Sequence, residues 1–96
     1  MSSSDPSEAR LEDEVRRAHD AQALITHPLL AEAFDTVETE FLSAWRDSPA
    51  RDTEGREVLW HSLKLLAQIR QHLVSVIETG QMAREDLSRR GLSVDR

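Results

Sequence analysis

Apolar residues recur along this chain at helical spacing, in three runs of unequal strength. Leu11, Val15, Ala18, Leu24 and Ile25 make a thin stripe. Leu30, Phe34, Val37, Phe41 and Ala44 follow one another at four, three, four and three residues, a heptad-like seam. Leu59, Leu63, Leu66, Leu73 and Ile77 form a third seam, and Val58, Leu65, Ile69 and Val76 broaden it beyond what a two-stranded coiled coil requires. The pattern predicts an all-α chain with helices over about residues 8–25, 29–46 and 53–89.

The breaks between the runs have local causes. A residue before proline is pushed out of the helical region, so His27 is expected to be extended and Pro28 to sit in the first turn of the second helix. Ser48 precedes Pro49 and ends that helix near Asp47. Asp52 or Thr53 then caps the third helix, with Glu54 favourable at the positive end of its dipole. The stretch "SPARDTEGREVLW" therefore reads as helix stop, turn and helix start. Gly55 weakens that start, which points either to close approach of another backbone or to fraying. The third helix is read as one long helix, continuous or kinked near Gly80, with Gly91 as its stop. Residues 1–7 and 91–96 are expected to be disordered tails.

Two of these stripes can cover each other, so the expected architecture is an antiparallel helical hairpin of the second and third helices with a short additional N-terminal helix. The long helix outreaches its partner, and exposed apolar surface of that kind signals association. The expected oligomer or partner interface is Leu59, Leu66, Ile69, Leu73, Val76, Ile77 and Met82. Phe34, Phe41, Trp45 and Trp60 are read as core or interface anchors.

The 96-residue chain is at most one small domain, and it has no cysteine, which removes disulfides, thiolate metal sites and a cysteine nucleophile. That composition fits a cytoplasmic protein. The first ten residues carry no apolar signal segment, and no apolar run is long enough to span a bilayer. The net charge of −6 opposes a simple DNA-coating role. Acid dominates the first half of the chain, and base is relatively richer towards the end.

Candidate chemistry is sparse. His61 and His72 share a helix face but lie about 16 Å apart along the axis, too far for one zinc ion. Glu12 with Arg16, Asp13 with Arg17 and Glu57 with His61 have the spacing of ordinary helix-surface pairs. No phosphate-cradling loop, nucleophile elbow or zincin motif is present. The sequence is therefore read as non-enzymatic, with no cofactor or metal. Arg84, Arg89 and Arg90 are the candidates for weak DNA contact, diluted by Glu85 and Asp86.

"RDTEGREVLW" followed by "IRQHLVSVIETGQMA", together with "HPLLAEAF", resembles short helical proteins of tailed bacteriophages, prophages and gene transfer agents. Over roughly residues 27–83 the chain looks like a terminase small subunit, the ring-forming regulator that passes DNA to the packaging motor. The resemblance implies an oligomerisation core, a large terminase subunit as partner, and no chemistry of its own. It places Trp60, Arg70, His72, Leu73 and Gly80 as structural or interface positions. The N-terminal helix-turn-helix usual in that group is not recognisable here, so DNA contact would be weak and non-specific. The alternative is a small helical adaptor or regulator that binds one protein partner through the apolar groove of the long helix.

Overall fold

The structure, a computed structural model, describes residues 5–92. Three helices account for nearly all of them: α1 (Pro6–Ile25), α2 (Pro28–Asp47) and α3 (Thr53–Arg89).

α1 starts earlier than the sequence reading placed it. Asp5 accepts the Ser7 backbone N–H at 3.2 Å and the Ser7 hydroxyl at 3.3 Å, and Pro6 occupies the first helical position. A side-chain acceptor followed by proline is a complete helix start. Of the tail expected over residues 1–7, Pro6 and Ser7 are thus helical, and 1–4 lie outside the described residues.

α2 follows with His27 extended (φ −67°, ψ 124°), as expected before proline. The His27 Nδ1 accepts the Leu29 backbone N–H at 3.1 Å, so the histidine itself caps the helix. α2 stops at Ser48, also extended, whose backbone N–H and hydroxyl both donate to the Trp45 carbonyl.

Asp52 caps α3: its carboxylate accepts the Gly55 N–H at 3.1 Å and its carbonyl accepts the Arg56 N–H at 3.0 Å. That cap explains Gly55. A Cβ there would run into the Asp52 carboxylate, with its carbon only 2.9 Å away.

α3 then runs 37 residues without interruption through Gly80. It ends in a left-handed Gly91 (φ 80°), with Leu92 N–H bonded to the Leu87 carbonyl and Gly91 N–H to the Ser88 carbonyl. This is the Schellman arrangement, and Leu92 folds back onto the apolar cluster under it. Residues 91 and 92 therefore belong to the helix cap; 93–96 of the expected tail lie outside the described residues.

The chain divides into two compact units. One comprises residues 5–25 and 72–92. Leu11, Val15, Ala83 and Leu87 form its core, each 5 % exposed or less, with Leu92 against them. Gly80 is buried there, where a Cβ would collide with the Ala18 methyl and stand 2.8 Å from the Glu14 carbonyl oxygen. α1 and this part of α3 approach backbone to side chain at that point. Arg90 closes the end of the unit, donating to Ser7 Oγ at 2.9 Å and pairing with Asp5 and Asp86 at 3.7 and 3.5 Å.

The other unit is Thr26–Gln71. Arg56, in the first turns of α3, donates to the Trp45 carbonyl at 3.1 Å and to the Ser48 hydroxyl at 2.8 Å, and its guanidinium lies 4.2 Å from the centre of the Trp45 ring. Further along α3, Arg70 lies 4.9 Å over the Phe34 ring and 3.9 Å from Asp35. Leu30, Phe34, Val37 and Phe41 of α2 and Leu59, Leu63 and Leu66 of α3 are all half-buried. No residue of this unit is fully buried.

Candidate assembly interface

The surface of Thr26–Gln71 is where the chain's chemistry concentrates. Nine large apolar residues are exposed among those described, and seven lie in this unit: Leu29, Leu42, Trp45, Val58, Trp60, Leu65 and Ile69. A unit that exposes this much and buries nothing fully has unused apolar surface, and such patches mark places of association.

The side chains have different supports. Trp45 is fixed from one side by the Arg56 guanidinium, a cation–π contact that also neutralises the carbonyl end of α2. Trp60, half exposed, has Lys64 Nζ 5.0 Å from its ring centre and His61 edge-on at 5.1 Å. Two cation–π pairs therefore present aromatic faces beside positive charge. Val58, Leu65 and Ile69 have no such polar companions and are 55 to 63 % exposed. Between Val58 and Leu65, the Ser62 hydroxyl is turned inward onto the Val58 carbonyl at 2.8 Å, which keeps the stripe free of an outward polar group.

The residues expected at an interface separate into both units. Leu59 and Leu66 are half-buried and Ile69 is exposed, all in Thr26–Gln71. Leu73, Val76 and Ile77 are half-buried and Met82 is exposed in the other unit. Val76 and Leu73 line an open depression with Arg17, Asp20, Leu24 and His72. Val58, Leu65, Leu29 and Leu42 were absent from the expected set. The signal for the first two was in the sequence, since Val58, Ser62, Leu65 and Ile69 repeat at four, three and four residues, one position ahead of Leu59, Leu63, Leu66 and Arg70. Leu29 and Leu42 lie off the α2 seam and gave no periodic signal.

The basic candidates fare unequally. Arg90 is held by Asp5, Asp86 and Ser7, and Arg89 lies 3.8 Å from Asp86. Arg84 has no acidic partner among the described residues and lines an open depression with Ala18, His19 and Gly80. Among the described residues no three histidine, aspartate or glutamate side chains converge as a metal site, and no helix is long and apolar enough to cross a membrane. Compared with protein families, curated proteins and solved structures, the chain finds no match in any of the three.

Proposed function

We propose that this protein is a non-enzymatic helical assembly component of phage type, similar to a terminase small subunit, that forms a homo-oligomeric ring and engages a large terminase subunit during DNA packaging. Within it, α2 and the first half of α3 act as an antiparallel hairpin, supported by Trp45 lying at Arg56 and Phe34 at Arg70.

The observation that carries the reading is the state of that hairpin. The 46 residues of Thr26–Gln71, with no fully buried side chain and seven exposed large apolar ones, fall short of the core that a small unit needs to hold itself. Packing against further copies supplies the missing burial, as in oligomers whose interface completes a core. The packaging role comes from the resemblance of residues 27–83, and DNA contact is a minor part of it because Arg89 and Arg90 are already paired with acids.

Absolute mass by light scattering behind size exclusion, at two salt concentrations, tests the assembly. Co-purification with a co-expressed large terminase subunit tests the role. A single species of many subunits that captures the large subunit supports the proposal. A monomer, or an oligomer indifferent to the large subunit, refutes the assembly or the packaging role respectively.

A further inference from the structure

The geometry points to a head-to-tail contact between copies, in which the acidic, aliphatic flank of one α2–α3 hairpin packs on the basic, aromatic flank of the next. This rests on the assembly proposed above and specifies the surface and the symmetry of the contact.

The two flanks follow from helix geometry and the Arg56–Trp45 contact. At about 100° per residue, Val58, Leu65 and Ile69 lie within about 40° of one another on α3, and roughly 100° away from the direction of Leu59, Leu63 and Leu66. Trp60 lies about 90° from that direction on the opposite side, beyond Arg56. On α2, Leu42 and Trp45 lie to one side of the Phe34–Phe41 seam and Leu29 to the other. The Arg56–Trp45 contact fixes which sides go together. Trp60, Trp45 and Leu42 share one flank; Val58, Leu65, Ile69 and Leu29 share the other. All seven are exposed.

The charges divide the same way. By the same rotation Glu40, Asp47 and Glu54 accompany the aliphatic flank, all exposed, with no basic residue on that flank of either helix. The aromatic flank carries Arg46, Arg56 and Lys64 beside Asp35, Glu38 and Glu57, and Asp35 is already paired with Arg70 of the seam. One flank is thus purely acidic, and the basic residues of the two helices' flanks all lie on the other. An isologous dimer through the aliphatic flank would put like charges across its own two-fold axis, and one through the aromatic flank would leave the aliphatic surface uncovered. Aliphatic on aromatic and acid on base is complementary in both shape class and charge. Because the two surfaces are different, each copy offers one to its neighbour on either side, and the contact repeats; its rotation decides whether a ring closes.

Two variants separate this contact from its rivals. Leu65→Glu removes the aliphatic surface and Trp60→Glu the aromatic one, at exposed positions where glutamate keeps the helix. Each variant alone is expected to be a monomer, and an equimolar mixture a 1:1 dimer of twice the monomer mass, since one intact surface remains on each partner. The contact is overturned if either variant keeps the wild-type mass, or if the mixture stays monomeric while the wild type assembles. A monomeric wild type overturns the assembly itself, a different outcome from either. Should a variant lose helicity by circular dichroism, charge reversal carries the same test at exposed positions. Glu40→Lys with Asp47→Lys, and Arg46→Glu with Lys64→Glu, should each weaken assembly and restore it when mixed. Failure of the mixture to reassemble overturns the head-to-tail contact.

Discussion

Gly80 and Ala18 stand so close that a Cβ on Gly80 would collide with the alanine methyl and lie 2.8 Å from the Glu14 carbonyl oxygen. At Gly55, in the same helix, the nearest atoms a Cβ would meet belong to the Asp52 carboxylate, the far end of a flexible side chain. Two glycines that helix propensity scores alike therefore have opposite roles. Gly80→Ala should destabilise by about 1–3 kcal/mol, since backbone must move. Gly55→Ala gains about 1 kcal/mol of helix propensity and loses a cap of similar worth, so it should be close to neutral. Urea unfolding of both variants, with Ala18→Gly added to Gly80→Ala, checks this. Partial recovery in the double variant is expected.

Leu87 is fully buried, whereas Leu63, in an equivalent seam position of the other unit, is half-buried. Leu87→Ala should cost about 2–5 kcal/mol. At concentrations where the chain is dissociated, Leu63→Ala should cost clearly less. Denaturation at low protein concentration reads the difference, and equal losses would contradict the placement of the core.

Arg56 serves two ends at once, capping the Trp45 carbonyl and Ser48 while stacking on the Trp45 ring. Arg56→Ala should destabilise by about 1–2 kcal/mol through lost charge-assisted hydrogen bonds. Arg56→Lys keeps the charge but not the planar fork, and should recover only part of it. Hydrogen exchange at the end of α2 should quicken in both variants, more in the alanine one.

Helix identity was legible in the sequence, and core location was not. The seams through Phe34 and Phe41 and through Leu63 and Leu66 gave α2 and α3 almost to the residue, because proline fixes its own φ and bars its predecessor from the helical region. α1 looked weak, having few large apolar residues. Yet α1 supplies Leu11, Val15 and Ala21 to the buried set, because Ala18, Gly80 and Ala83 let two backbones approach. Small residues at a helix crossing carry no hydrophobic signal. Gly91 was legible as the stop of α3, whereas the Asp5–Pro6 start and the return of Leu92 were readable from residue chemistry but obscured by polar, low-complexity neighbours. The candidate interface was half legible: Ile69 lay on the broad face, while the exposure of Val58, Leu65 and Trp60 depends on where α2 packs.

The central claim is that the apolar surface of Thr26–Gln71 is covered by further copies of the chain. Its most direct test is the absolute mass of the wild-type protein by light scattering across a hundredfold range of concentration. One species of several subunits that persists on dilution is the predicted result. A single mass near 10.9 kDa, that of one chain, at every concentration would contradict it.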